Sequence, residues 1–281
     1  MLCTPTVLHF IRDRRKKQLP FGKRQVMTFI TMTFTIFILE KIYQQEDRRK
    51  MKYAHIVRGI FLERPNRFIA IVDIQGKRET VHVKNTGRCR ELLIPGTEVI
   101  LEKSDNPARK TAYDLVCVYK GNKLINMDSA APNQAAAEWI REGGLFSEKV
   151  RVTTEKNFGN SRFDIYAESE KRKAFIEVKG VTLEENGVVR FPDAPTVRGV
   201  KHVEELIRCL KEGYEAYLLL VIQMEQVLRF EPNWKTHQAF GRALVKAQQA
   251  GVKILARECV VTPDEMRINR EVPVFLEESS E

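Results

Sequence analysis

Six short β-rich stretches divided by turn residues, a later alternation of helices with strands, and two carboxylates with a lysine on neighbouring strands predict an α/β chain in two parts. The first part is a small β-barrel and the second an α/β domain. A chain of 281 residues has room for about two domains. Changes in composition place them at residues 51–130 and 131–281, with residues 1–50 set apart.

In residues 1–50 a basic run from Arg12 to Lys17, then Lys23 and Arg24, precedes an uncharged stretch from Val26 to Leu39; a charged cluster closes at Lys50. The uncharged stretch is short of the roughly 20 residues that span a bilayer. No small-X-small cleavage site follows it, which argues against a signal peptide. Two expectations stand side by side. Residues 26–39 form a short, tilted membrane anchor, or the natural protein begins at Met51 and residues 1–50 are translated upstream sequence.

Strands are expected at Ile56 to Leu62, Arg67 to Ile74, Thr80 to Val83, Glu98 to Glu102, Ala112 to Tyr119 and Lys123 to Asn126. Asp73 to Lys77 and Tyr119 to Asn122 read as turns, and Pro95-Gly96 as a break before a strand. Such short, evenly spaced strands suit an OB-like barrel. Its expected nucleic-acid contact is the polar run Lys84 to Arg90, where Lys84, Asn85, Arg88 and Arg90 can donate to phosphate oxygens. Phe61, Phe68 and Tyr113 sit in apolar strands and are expected in the core. A barrel that merely packs against its neighbour is the plain alternative.

In residues 131–281 the order is helix, three strands, helix, strand, helix, strand. Gln134 to Glu142 is alanine-rich and closed by Gly143-Gly144. Strands follow at Lys149 to Thr154, Arg162 to Glu168 and Ala174 to Thr182. Pro192 and Pro195 punctuate a loop, and Thr196 is placed to cap a helix from Val197 to Glu212. Glu215 to Met224 contains a continuous apolar run suited to a central buried strand. Lys235 to Gln249 reads as a helix and Val252 to Val260 as a further strand. On helix Val197–Glu212, Val200, Val203, Leu206, Ile207 and Leu210 make an apolar stripe, with Arg198, His202 and Glu205 on the opposite face.

Side chains alternate faces along a strand. Ala174, Ile176 and Val178 therefore share one side, and Glu177 and Lys179 the other. The same rule puts Phe163, Ile165 and Ala167 opposite Asp164. The polar link Ser169 to Lys173 suits a hairpin turn, which brings Asp164 beside Glu177. Two close carboxylates repel unless a cation lies between them, and hard ions such as Mg2+ or Mn2+ prefer oxygen ligands. A lysine two residues on can orient water or stabilise charge on a phosphate. Arg198 and His202, in the first two turns of their helix, lie within reach of a loop from the Glu177 strand. An exposed strand face with an ordinary Glu and Lys is the plain alternative. Asp164, Glu177 and Lys179 together resemble the signature of the PD-(D/E)XK nuclease superfamily. That resemblance implies a restriction-endonuclease-like α/β domain, with Glu138 on the first helix as a further metal carboxylate.

Net charge is +10, but unevenly spread. Residues 51–130 hold 14 Lys/Arg against 9 Asp/Glu, and residues 131–281 hold 22 against 24. A basic barrel attracts nucleic-acid phosphates, so DNA is the expected partner, with RNA as a second; a plain solvated surface also fits. Cys3, Cys89, Cys117, Cys209 and Cys259 are scattered with no Cys-X-X-Cys pair. That argues against a zinc site or a disulfide framework and for a reducing, cytoplasmic setting. No glycine-rich nucleotide loop or nucleophile elbow appears, so no small-molecule cofactor is expected. Whether the chain pairs as a homodimer stays open.

Asn85-Thr86-Gly87-Arg88, Glu91 to Gly96, Arg162-Phe163-Asp164, Phe175 to Gly180, and Phe191 to Gly199 with His202 and Glu205-Leu206 together resemble the sugar fermentation stimulation protein A family. The resemblance spans residues 51–276. It implies an OB-like domain joined to a nuclease-like domain, DNA binding, and a regulatory link to sugar use in bacteria.

Overall fold

The polypeptide from Ile56 to Asn126 alternates apolar and polar residues on short strands, and it closes on itself. In the computed structural model, which describes residues 50–278, β1 (Ile56–Asn66), β2 (Ile69–Ile74), β3 (Lys77–Val83), β4 (Glu98–Lys103) and β5 (Tyr113–Lys120) are hydrogen-bonded in the order β3-β2-β1-β4-β5. A parallel contact of His82 and Val83 with Asp114 and Leu115 then joins β3 to β5. The result is an OB-like domain with a closed five-stranded barrel, whose inward residues Phe61, Val72, Val81, Val99 and Leu101 are buried. Closure leaves no free sheet edge in the ring. β6 (Lys123–Asn126) extends β5 beyond the ring. The expected membrane anchor and upstream translation fall on residues outside those described.

The second part begins with α1 (Ala131–Arg141), followed by β7 (Arg151–Phe158), β8 (Ser161–Glu168), β9 (Lys173–Val181), α2 (Val197–Lys211), β12 (Glu215–Ile222), α3 (Trp234–Ala250), β14 (Lys253–Val261) and β15 (Met266–Val272). Its six-stranded sheet has the order β15-β14-β12-β9-β8-β7. β12 pairs in parallel with both β9 and β14, as its unbroken apolar run requires of a strand covered on both faces. Leu218, Leu220 and Ile222 join one core with Val203 and Leu206 of α2 and Phe240 and Leu244 of α3. Tyr217, Leu219 and Val221 join the other with Ala135, Ala136 and Ile140 of α1. Helices thus cover both faces.

The segment read as a loop holds more. β10 (Leu183–Glu185) and β11 (Val188–Phe191) form a hairpin, and β13 (Arg229–Pro232) pairs in parallel with β11. The turn is Asn186-Gly187, both at positive φ (52° and 80°). That dipeptide is a strong two-residue hairpin signal, easily overlooked beside the prolines that follow it.

Hydrogen-bonded side chains fix the barrel against the α/β domain. Glu184 on the β10–β11 hairpin is buried and accepts from Lys120 Nζ (2.7 Å), Lys123 Nζ (3.4 Å) and the Gly187 N–H (2.6 Å). Burial works to raise its pKa, but the Lys120 and Gly187 bonds and both lysine charges outweigh it and hold the carboxyl below its ordinary range. Glu184→Ala is expected to cost about 2–3 kcal/mol at neutral pH, because it strands two lysines. A depressed carboxyl stabilises above its unfolded pKa and loses that contribution as pH falls. The gap between wild type and variant in urea denaturation is therefore expected to narrow below about pH 4.3.

Candidate functional site

Strand pairing delivers Asp164 and Glu177 to one place. The β8–β9 ladder runs Glu168↔Lys173 to Ile165↔Ile176, and Asp164 and Glu177 are the next residues beyond its last rung. Instead of facing across a backbone pair, Asp164 reaches over the strand. Its Oδ2 accepts from the Val178 N–H at 2.9 Å, and its Oδ1 from Asn133 Nδ2 of α1 at 2.8 Å. The expected alternation fails at this point. Ile165 and Ala167 pack on the α1 side, but Phe163 packs on the α2 side against Phe175 (5.3 Å between ring centres) and the His202 ring (6.3 Å). The β7–β8 register is unchanged here, but the rung between Glu155 and Asp164 is missing. The pairing passes from Thr154↔Ile165 to Lys156↔Phe163, and the skipped Glu155 lies in the left-handed region at φ 57°.

Glu177 is the hub, 1% exposed. Its Oε1 accepts from Lys179 Nζ at 2.5 Å and from His202 Nδ1. Its Oε2 is buried and makes no hydrogen bond to any described residue. Arg198 Nε donates to His202 Nε2 at 3.3 Å, so the imidazole is held at both nitrogens and directs its Nδ1 proton to the carboxylate. The Thr196 side chain caps α2 as expected, accepting from the Gly199 N–H at 2.9 Å. That cap sets the phase that aims His202 at the sheet.

The helix-face expectation needs correcting. His202 and Glu205 are buried beside Val203 and Leu206, not opposite them. A polar side chain can face a sheet when it finds a charged partner there. His202 finds Glu177 there, whereas Glu205 is paired along its own helix with Arg208, whose Nη1 donates to both carboxylate oxygens at 2.9 Å.

The two central carboxyls are perturbed in opposite directions. Burial, then repulsion from Glu177, raises the Asp164 pKa. Burial also acts to raise that of Glu177, but the His202 bond and the Lys179 charge outweigh it and hold Glu177 below the ordinary range. Opposed shifts in a close carboxylate pair are the pattern that acid–base and metal sites use.

Glu138 is elsewhere. Its Oε2 accepts from the backbone N–H of Met51 at 2.9 Å, and the charges that act on it are Glu142, Glu265 and Lys50. Five residues along α1 from Asn133, it lies about 140° around the helix, so the turn that brings Asn133 to Asp164 carries Glu138 away. Among the described residues no group of three His, Cys, Asp or Glu side chains converges as a ready metal cage.

The barrel loop faces Gly180 and Thr196, which adjoin this group in sequence. A cleft of about 360 Å³ is lined by Asn85, Thr86 and Gly87 from the barrel, Gly180 beside Lys179, and Asp193 and Thr196 ahead of α2. The Arg88 N–H donates to Asp193 Oδ2 at 3.2 Å, bridging the cleft. Arg88 and Arg90 are exposed. Lys84 is already engaged, paired with Asp128 at 2.5 Å and lying over the Tyr53 ring, and Asn85 caps its own loop through the Gly87 N–H at 2.7 Å. Sequence reasoning missed Arg64. Its guanidinium donates to the carbonyls of Arg67, Asn85, Gly87 and Arg88 at 2.7–2.9 Å and so sets the loop's shape.

Residues 62–127 match the SfsA N-terminal OB domain, and residues 130–265 the sugar fermentation stimulation protein RE domain. A sugar fermentation stimulation protein homolog of Clostridium beijerinckii is 54% identical over 226 residues, covering 80% of this chain and 100% of that one. The chain belongs to the sugar fermentation stimulation protein family. A second homolog in the family, from Desulfitobacterium hafniense strain Y51, is 58% identical and covers 81% of this chain and 100% of its own. A solved structure, that of Pyrococcus furiosus SfsA in complex with Ca2+, is 30% identical, covers 80% of this chain and 98% of that chain, and superposes with a TM-score of 0.73. The RE-domain match holds Asn133, Asp164, Glu177, Lys179, Arg198 and His202 in this SfsA-family chain, and the OB-domain match holds Arg64 and the loop Lys84 to Arg90. Cys89, Cys117, Cys209 and Cys259 are buried free thiols, and burial raises Cys89 and Cys209 to about 12, which disfavours their reactive thiolate form. Among the described residues no helix is long and apolar enough to cross a membrane.

Proposed function

We propose that this protein is a divalent-metal-dependent hydrolase of nucleic-acid phosphodiesters, with DNA the principal substrate and RNA a second. The observation that carries the proposal is Glu177 Oε2, a buried carboxylate oxygen with no hydrogen-bond partner among the described residues, placed beside a second carboxylate whose pKa is raised by burial and then by the Glu177 charge. Such a pair fits a hard, oxygen-seeking cation that keeps several waters of its own. Asp164 and Glu177 would hold the ion. The Pyrococcus furiosus relative was solved in complex with Ca2+, which supports that class of metal. A magnesium or manganese ion there supplies charge neutralisation for a phosphate oxygen and acidity for water. Lys179, 16% exposed at its side chain and tethered to Glu177, orients water and stabilises charge on the phosphate. His202 positions Glu177. Exposed Arg198 fixes His202 through Nε and leaves its other donors for a phosphate.

The test is incubation of the full chain with duplex, branched and single-stranded DNA and RNA, with Mg2+, Mn2+ or EDTA. Cleavage of at least one substrate class with metal and none in EDTA is expected. Intact substrates throughout would reject the hydrolase. Exposed Arg88 and Arg90 favour the second reading, a non-catalytic DNA-binding regulator. It expects salt-sensitive binding that survives Asp164→Ala and weakens with Arg88→Ala or Arg90→Ala.

A further inference from the structure

Phe68, expected in the barrel core, lies outside it. It sits in the turn between β1 and β2 and is 44% exposed. Its position is fixed: the Asn66 side chain accepts from the Phe68 and Ile69 N–H groups (2.9 and 3.1 Å), and the Phe68 carbonyl accepts from the Val83 N–H at 2.7 Å. The Arg67 guanidinium lies over the ring, 4.7 Å from its centre. One Arg64 nitrogen bonds both the Arg67 and the Asn85 carbonyls, so this ring adjoins the loop that forms the barrel wall of the cleft. At its far side the cleft reaches Gly180, the residue after Lys179, and Thr196, the cap of the His202 helix.

We infer that the Phe68–Arg67 pair and the Arg64-tethered loop form a stacking platform and guide for single-stranded nucleic acid, which threads unpaired into the cleft between that loop and the end of β9 at Gly180. The inference rests on the hydrolase reading for its destination and names the substrate class. Three features favour a single strand over a duplex. An exposed aromatic ring on a hydrogen-bonded turn, backed by a guanidinium, can stack on a base only if that base has a free face. The cleft, about 360 Å³, matches a pocket for one small ligand and not a helix. The Arg88–Asp193 bond spans it, and Gly87 packs so closely there that a Cβ would come within 2.8 Å of Asp193 Oδ2, so the guide lies close over the floor.

The test is fluorescence anisotropy with the full chain in EDTA, so that binding is read without cleavage. The probes are a labelled oligothymidylate of roughly 16 nucleotides and its duplex with oligoadenylate. Single-strand binding at least about 10-fold tighter than duplex binding is expected. Phe68→Ala should weaken the single strand about 5- to 100-fold and leave the duplex unchanged; Phe68→Tyr, which keeps the ring, should restore it. Equal or tighter duplex binding, no binding to either probe, or a Phe68→Ala loss equal on both probes would overturn the inference. A thermal midpoint of Phe68→Ala equal to wild type excludes unfolding as the cause. Metal-dependent cleavage is scored separately. Single-strand preference without cleavage would sink the hydrolase alone, and duplex cleavage indifferent to Phe68 would sink this inference alone.

Discussion

Glu177→Gln is expected to lower metal-dependent cleavage by about 10³-fold or more, and Asp164→Asn by a similar factor, while only Glu177→Gln lowers metal-free stability. The activity losses follow from removing half the negative charge available to a divalent ion and, for Glu177, from releasing Lys179 and His202 together. Stability separates them. Ionised Glu177 is stabilised by His202 and Lys179, so its amide loses charge-assisted bonds of roughly 2–3 kcal/mol in total. Ionised Asp164 is unfavourable where it stands, buried and repelled by Glu177. Its amide removes that repulsion. An Asn at 164 can still accept from the Val178 N–H while the Asn133 amide turns to accept from the new NH2. Metal-free Asp164→Asn should therefore unfold no earlier than wild type, and Glu177→Gln earlier. The pH sign follows. A raised folded-state carboxyl binds its proton more tightly than the unfolded chain does, so metal-free wild type should lose stability as pH rises from the ordinary Asp value through the raised one. Asp164→Asn should flatten that slope. Added Mg2+ should raise the thermal midpoint of wild type and of neither variant. Cleavage within a few-fold of wild type in either variant would remove the metal site from these carboxylates.

Parts of this arrangement are legible in the sequence because they depend on local periodicity. Alternation along Ala174 to Lys179 puts Glu177 and Lys179 on one face, and that needs only the strand's own pleat. The Thr196 cap, the central strand and the barrel strands are local in the same sense. Long-range choices are not legible. The Asn133–Glu138 stretch is so rich in alanine that its sequence gives no rotational phase, and nothing in it says which polar residue meets Asp164. A helical wheel assigns His202 to the solvent face because it counts polarity; it cannot register that Glu177 waits on the sheet side. Arg64, in Glu63-Arg64-Pro65, reads as an ordinary surface arginine until the loop carbonyls 21 to 24 residues on fold around it. Phe68 reads as core because Ile69 to Ile74 is apolar, yet the barrel's turn leaves it outside.

Gly180→Ala is expected to lower the thermal midpoint by about 2–12 °C and to reduce cleavage with it, although it adds one methyl group. Gly180 is not at positive φ; the constraint is space. A Cβ there would collide with Gln223 Oε1 and fall 2.8 Å from Pro132 Cγ, between the start of α1 and the end of β12. Gln223 has little freedom to retreat. Its Nε2 donates to the Asn126 carbonyl (2.9 Å), Asn126 Oδ1 (3.1 Å) and the Asp128 carbonyl (3.2 Å), and its own carbonyl accepts from the Asn126 N–H (3.0 Å). It is a buried side chain that ties β6 to the sheet. The added methyl either breaks those bonds or pushes β9 back at the residue beside Lys179. A double-mutant cycle distinguishes the two. If Gln223 yields, Gly180→Ala should cost little further stability once Gln223→Ala is present, and cleavage should follow stability. If β9 yields instead, the costs should add, and the loss of cleavage in Gly180→Ala should exceed what its unfolding explains, because Lys179 will have moved. A Gly180→Ala protein as stable and as active as wild type would mean that the cleft floor is not packed as described.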